Sequence, residues 1–189
     1  MEVIIVNDGS TEKESLNKLE HLANRGIKII HQSNQGLAVA RNYGAMEATG
    51  DFLAFLDADD MISTTYYSRA VEILQCKSNV SFVGCWVQYF GESKNQWPAF
   101  NPEPPYLLFH NMVNSSGLVY KRESFLKAGL NDTRFIYGME DYDRIMHPYT
   151  LCAFVHIRYV SNWPLLMRSF YSLALPGDWL PRIRIYNCR

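Results

Sequence analysis

The chain contains the apolar run Phe52-Leu53-Ala54-Phe55-Leu56, which leads directly into the acidic segment Asp57-Ala58-Asp59-Asp60. A short, continuous apolar run of this kind is typical of a β-strand buried on both faces, as in a parallel sheet. Ligands of open α/β sheets bind beyond the carboxyl ends of the strands. The segment therefore indicates both a buried strand and a binding site at its end.

The same signals predict other strands, with helices between them. Val3–Val6 is an apolar run that ends in turn-forming residues, and Ile27–Ile30 is another. Helices are predicted before Gly26, before Gly50 and over residues 64–77, with one or two strands over 80–90 and a strand over 116–120. A short helix over 122–128 follows, and Pro148 should stop a further helix soon after residue 143. The order β-α-β-α-β-α-β predicts a single α/β domain with helices on the faces of a sheet.

Composition excludes several classes of protein. The chain has 189 residues, and the hydrophobic fraction of 48% is too high for a disordered protein. The net charge of −1 lacks the excess of Lys and Arg that a broad nucleic-acid-binding face requires. No apolar stretch reaches the roughly 18 residues of a spanning helix, and the N-terminus lacks the features of a signal peptide. We therefore expect a cytoplasmic protein without nucleic-acid partners. Peripheral contact with the inner face of the membrane and oligomer formation stay open.

Carboxylates follow two of the predicted strands: Asp8 follows the first, and Asp57 and Asp59 follow the third. Like charges at one sheet edge repel each other, so a divalent cation is the simplest reason for them, and Mg²⁺ prefers carboxylate and phosphate oxygens. An extended backbone would point Asp57 and Asp59 to one side, because they are two residues apart. The alternative is an acidic turn that caps the helix near Ser63.

Two further segments are candidates for chemistry. Glu140-Asp141 stands among acidic and aromatic residues, where a raised carboxyl pKa would suit a general base. The alternative is an ordinary acidic helix N-terminus. Gly36 opens a helix whose first amides could face a phosphate, with Arg41 one turn further on. The alternative there is an ordinary helix with a surface arginine.

Four segments, taken in order, resemble the family-2 inverting glycosyltransferases of GT-A fold. They are Ile4–Thr11 (IIVNDGST), Asn34–Asn42 (NQGLAVARN), Ala48–Asp60 (ATGDFLAFLDADD) and Gly138–Asp143 (GMEDYD). The resemblance covers residues 2–143. It implies a GT-A-type, Rossmann-like mixed sheet flanked by helices in one domain.

The resemblance also implies an activity and a cofactor. A sugar would pass from a nucleotide-diphosphate sugar to an acceptor hydroxyl with inversion, with Mg²⁺ or Mn²⁺ as the metal. The acceptor would be a saccharide, a lipid-linked group or a protein, as in polysaccharide or glycoconjugate biosynthesis.

Roles on the donor side are carried over from the family residue by residue. Asp8 resembles the residue that hydrogen-bonds the nucleobase. Asp57 and Asp59 resemble the family's D-x-D pair, with Asp57 near the ribose or sugar and Asp59 on the metal. Arg41 resembles a helper at the donor site.

On the acceptor side, Asp141 resembles the family's general base, with Glu140 beside it. We expect residues 1–90 to hold the nucleotide sugar and residues 91–145 to form the acceptor and catalytic part. Residues 146–189 match the family poorly and are predicted only as a C-terminal segment.

The family pattern has one strand and one helix before the strand of Val3–Val6. We therefore expect an N-terminally incomplete domain with an open position beside that strand, and low stability. A truncated or inactive nucleotide-sugar-binding module is for this reason an alternative to an active transferase. A nucleotidyltransferase is a further alternative, although the Gly-rich phosphate loop typical of that class is absent from the sequence.

Overall fold

The computed structural model describes residues 1–91, 93–99, 109, 111, 114–135, 139–146, 155–156 and 184–188. The helices are α1 (Lys13–Asn24), α2 (Leu37–Glu47), α3 (Tyr66–Cys76), α4 (Arg122–Lys127) and α5 (Glu140–Met146). The strands are β1 (Glu2–Asp8), β2 (Lys28–Gln32), β3 (Phe52–Leu56), β4 (Phe82–Gly84), β5 (Val87–Gln88), β6 (Gln96–Trp97), β7 (Val119–Lys121), β8 (Val155–His156) and β9 (Arg184–Cys188). None of the described helices is both long enough and apolar enough to cross a membrane.

The strands form a mixed sheet in the order β2-β1-β9-β3-β7-β4-β8, while β5 pairs with β6 separately. β1 is parallel to β2, and β9 is antiparallel to both β1 and β3. The strands β1, β2 and β3 therefore run in the same direction, and their carboxyl ends meet at one edge of the sheet. The predicted α/β class and the predicted order from β1 to β4 are confirmed.

Alternating side chains of β3 divide the core between two faces of the sheet. Leu53 and Phe55 pack in one cluster with residues of α2, α4 and α5, whereas Phe52 and Ala54 pack with α3 on the other face. α1 lies on the same face as α3, where it packs against Ile5 of β1. Each fully buried side chain of the size of Leu or Phe contributes about 1.5–3 kcal/mol. The helices α2, α4 and α5 thus share one face.

Helix α2 lies close to the sheet because small residues form its buried side. Ala40 and Ala45 are fully buried, and Gly36, with a φ of 92°, precedes the helix. Arg41 and Asn42 are buried polar residues on the same helix, with exposed fractions of 3% and 6%. Polar groups buried this deeply require partners, which the site supplies.

The sheet position beside β1, which was expected to be open, is occupied. β9 fills it as an antiparallel strand and pairs with residues 2–5 of β1 on one side and with residues 52–56 of β3 on the other. The expected open position is therefore wrong, because a strand from the far end of the sequence supplies the backbone partners. The rest of the predicted C-terminal segment, residues 147–154, 157–183 and 189, lies outside the described residues, as do 92, 100–108, 110, 112–113 and 136–138 of the predicted acceptor part.

Smaller differences concern element ends. Residues 80–90 form the two short strands β4 and β5, and a 3-10 helix at Ser115–Gly117 precedes β7. α5 ends at Met146, near the stop predicted from Pro148.

Candidate active site

Asp57 and Asp59 lie in the turn directly after β3. The Asp60 amide donates to the Asp57 carbonyl at 3.1 Å, which closes a turn over the two residues between them. The predicted extended backbone is therefore wrong here, because the hydrogen bond reverses the chain at the end of the strand. The Asp57 side chain is 30% exposed, and Asp59 is half-buried. Both residues lie at the edge where the carboxyl ends of β1, β2 and β3 meet.

Arg41 joins the end of β3 to the start of α5. Its guanidinium donates through Nη2 to Asp57 Oδ1 at 2.8 Å and through Nη1 to Glu140 Oε1. Burial by itself would lower the pKa of Arg41, but the charges of Asp57 and Glu140 outweigh burial, so the pKa is raised. The surface-arginine alternative is excluded, since the Arg41 side chain is 4% exposed and ion-paired.

Glu140 is the first residue of α5 and is 2% exposed. Its Oε2 atom is buried without a hydrogen-bond partner among the residues that the structure describes. Burial raises the pKa of Glu140, and the Arg41 cation offsets this only in part. Met139, with a φ of 76°, precedes the helix in a conformation uncommon for residues other than glycine.

Asp141 follows Glu140 and is half-buried. Its Oδ1 atom accepts a hydrogen bond from the Tyr142 amide at 2.8 Å. The charge of Asp141 raises the pKa of both Arg41 and Glu140, so these three residues and Asp57 form one electrostatic cluster. The two predicted acidic segments therefore meet.

Asp8 lies at the end of β1 and fixes the N-terminus of α2. Its Oδ1 atom accepts from Gln32 Nε2 and from the Gln35 amide, each at 2.8 Å, and its Oδ2 atom accepts from the Gly36 amide at 2.9 Å. The side chain is buried. Asp8 thus lies at the same sheet edge as Asp57, and its contact with a nucleobase stays a prediction.

A second buried polar network connects α2 to the last turn of α5. Asn42 Nδ2 donates to the Asn131 carbonyl, and the Asn131 amide donates back to Asn42 Oδ1, both at 2.8 Å. Asn131 Oδ1 in turn accepts from Arg144 Nε at 2.9 Å. Arg144 also donates to the Phe125 carbonyl at 3.0 Å and lies 3.6 Å from the centre of the Phe125 ring.

Sequence reasoning found the acidic residues and Arg41 but missed this network. Arg41 and Glu140 are 99 residues apart, and Asn42 and Asn131 are 89 apart, so spacing carries no signal of contact. The one available hint is that Asn42 and Arg144 lie in or beside the segments that resemble the family.

No group of three or more His, Cys, Asp or Glu side chains is placed to hold a metal ion, as far as the described ranges extend. His31 Nδ1 instead lies 3.1 Å from Asn7 Nδ2.

The sequence profile described as Glycosyl transferase family 2 matches residues 1–134. The chain is 36% identical over 92 residues to the uncharacterized glycosyltransferase YibD of Escherichia coli, an alignment that covers 43% of this chain and 26% of the relative. It is 28% identical over 181 residues to an uncharacterized glycosyltransferase of Haemophilus influenzae, which covers 90% of this chain and 59% of the relative. The chain thus spans less than two thirds of the length of these relatives.

Two solved structures show the same fold. Mannosyltransferase PcManGT from Pyrobaculum calidifontis, in complex with GDP-Man and Mn²⁺, matches with a TM-score of 0.57 at 16% identity, over 89% of this chain and 47% of its own. Glucosyl-3-phosphoglycerate synthase from Mycobacterium tuberculosis, in complex with Mn²⁺, UDP-glucose and glycerol 3-phosphate, matches with a TM-score of 0.53 at 15% identity, over 90% and 61%. The predicted single-domain, GT-A-type fold is confirmed.

Proposed function

Because this chain belongs to glycosyl transferase family 2, we propose that it transfers a sugar from a nucleotide-diphosphate sugar to an acceptor hydroxyl with inversion. The observation that carries the proposal is the double contact of Arg41 with Asp57 and Glu140. It brings the acidic turn after β3 and the acidic start of α5 to one edge of the sheet. A transfer reaction of this kind needs the residues that bind the sugar donor and the base that deprotonates the acceptor at the same place.

We propose that Asp59 binds Mg²⁺ or Mn²⁺ and that Asp57 lies near the ribose or the sugar of the donor. The donor set fits, because Mg²⁺ is usually held by one or two carboxylates together with substrate phosphates rather than by a protein cage. When bound, the metal would neutralise charge that develops on the diphosphate leaving group.

Asp8 is proposed to contact the nucleobase of the donor. A carboxylate offers about four lone-pair sites, and hydrogen bonds from Gln32, Gln35 and Gly36 use three of them. One site on Asp8 Oδ2 is then left for an N–H group of the base. The same bonds hold the carboxylate in place before the donor binds.

Asp141 is proposed to take the proton of the acceptor hydroxyl as that oxygen attacks the anomeric carbon. Its half-buried position next to Arg41 and Glu140 supports this role, since the acceptor must be able to reach the base. Displacement from the face opposite the leaving diphosphate then inverts the configuration. The ion pairs of Arg41 with Glu140 and Asp57 would hold the start of α5, and so Asp141, in place.

The wider assignments are proposals as well. Residues 1–90 would bind the donor, and residues 91–145 would contribute the acceptor side, where a saccharide, a lipid-linked group or a protein would bind. Cytoplasmic location, peripheral membrane contact and oligomer formation stay predictions.

Calorimetric titration with nucleotide sugars, with Mn²⁺ or with chelator, tests the donor site. We expect wild-type binding to need the metal, and Asp59→Ala to lose the metal-dependent part. Asp51→Asn is the matched control, because Asp51 is an exposed carboxylate at the opposite end of β3. Equal binding with and without chelator would overturn the metal assignment. Binding without any transfer or donor hydrolysis would favour the binding-module alternative.

A further inference from the structure

Two consecutive residues of α2 hold the two ends of α5. Arg41 pairs with Glu140, the first residue of α5, and Asn42 reaches Arg144 in its last turn through Asn131. The helix has seven residues and is about 10 Å long. Both of its ends are therefore tied to the same short stretch of α2.

All members of this connection are buried. Their exposed fractions are 3% for Arg41, 6% for Asn42, 7% for Asn131, 2% for Glu140 and 5% for Arg144. A buried polar network is strong when its members are satisfied and costly when one of them is removed. Loss of one member should thus release a helix end.

The α5 helix needs such anchors because of its length. Isolated helices shorter than about 12–15 residues are marginal in water. Ile145, near its C-terminal end, is buried in the core, and the partly buried Tyr142, in its first turn, packs against that core. In the first turn, which carries Asp141, the buried ion pair of Glu140 with Arg41 adds to this apolar contact.

We propose that Arg41 and Asn42 are positioning residues that fix α5, and with it Asp141, relative to the end of β3. The proposal rests on the proposed function, in which Asp141 is the general base. Asn42 contacts neither Asp57 nor Asp141 in the described hydrogen bonds, so it acts through Asn131 and Arg144. Reactions of this kind are sensitive to placement, since a misplacement of about 1 Å can cost roughly 100-fold in rate.

Two variants test the connection away from the proposed donor site. Asn42→Ala removes both bonds to Asn131, and Asn131→Ala removes only the acceptor for Arg144. Tyr66→Phe is the matched control, because it removes an equally buried hydrogen bond, 2.6 Å long, from Tyr66 to the Gly117 carbonyl. Thermal melts verify that each variant is folded.

We expect both Asn variants to lower kcat roughly 10- to 100-fold while the donor Kd stays unchanged. Hydrogen exchange of the α5 amides should become faster in both, and exchange in β1 and β3 should not change. Tyr66→Phe should leave kcat and α5 exchange as they are in the wild type.

Hydrogen exchange separates failure of this proposal from failure of the proposed function. Wild-type protein without turnover would refute the function, while faster α5 exchange in the Asn variants would still support the anchoring. Unchanged α5 exchange in Asn42→Ala, or faster exchange with unchanged kcat, would overturn the proposal. If Asn42→Ala does not fold, Asn131→Ala decides, because it leaves the backbone bonds to Asn42 intact.

Discussion

Glu140 and Asp141 are neighbours in the chain, but their environments differ. Glu140 is 2% exposed and paired with Arg41, whereas Asp141 is half-buried and accepts a hydrogen bond from an adjacent amide. A general base must reach a proton of the acceptor, and it must be free to take it up. This difference favours Asp141 over Glu140 for that role.

Replacement of Asp141 by Asn should therefore reduce turnover far more than donor binding. A general base contributes about 10²–10⁴-fold to the rate, and the Asn side chain still accepts the hydrogen bond from the Tyr142 amide. Turnover assays and donor titrations of Asp141→Asn measure the two effects separately. Asp143→Asn, on the same helix, is the control. Wild-type turnover in Asp141→Asn would move the role to another carboxylate.

Glu140 should give a pH dependence of stability. Burial raises the pKa of Glu140 in the folded state, so folding favours the protonated form. Its contribution to stability is present below the ordinary Glu pKa of about 4.3 and is lost as pH rises through the raised value. Relative to Glu140→Gln, the free energy of unfolding of the wild type should fall as pH rises through this window.

Urea unfolding at several pH values measures this difference. Asp132→Asn is a control of opposite sign, because the hydrogen bond from Arg134 lowers the pKa of Asp132. Its contribution is present above the ordinary Asp pKa and is lost as pH falls. A wild-type advantage over Glu140→Gln that grows with pH would contradict the expected environment of Glu140.

The loops after β1 and β2 approach each other closely at Gly9. Gly9 has a φ of 76°, and a Cβ atom there would lie 2.8 Å from the backbone nitrogen of Asn34. The adjacent Asp8 bonds the start of α2 across the same contact. Close approach of the two backbones therefore fixes the position of the start of α2 relative to the end of β1.

Gly9→Ala should for this reason cost more stability than Gly26→Ala. Gly26 has a φ of 83°, but a Cβ atom added there would meet no atom within 4 Å, so its replacement by Ala costs only the left-handed strain of about 1–2 kcal/mol. Gly9→Ala adds a backbone clash that must displace a loop. Denaturant melts of both variants measure the difference, and equal costs would mean that the loops yield freely.

At the scale of elements, the sequence predicted those helices and strands whose residue pattern is local. The apolar run of β3 and the small-residue pattern of α2 are confirmed, and so is the order of elements up to β4. At Asp57 the extended backbone was wrong and a turn, which only the alternative interpretation included, is present, because alternation does not encode the backbone reversal that the hydrogen bond from the Asp60 amide closes. The attachment of α5 to α2 is non-local and leaves no periodic pattern.

For the whole molecule, the main departure is the place of β9 in the sheet. Apolar continuity in β1 and β3 predicted strands that are buried on both faces, but it did not predict which segment pairs with their edges. The Cα of Ile185 pairs with both Ile4 and Phe55 across the two ladders. The sheet centre thus depends on residues far apart in the sequence.

Truncation after residue 183 should therefore destabilise the whole sheet rather than one edge. It leaves backbone groups of β1 and β3 without partners, and each buried unpaired group costs about 1–3 kcal/mol. Since total stability is only about 5–15 kcal/mol, the truncated chain should lose its cooperative melt or associate through the open strands. Calorimetry and light scattering detect either outcome, with removal of Arg189 alone as the control. A truncated chain that melts like the full one would show that β9 is dispensable.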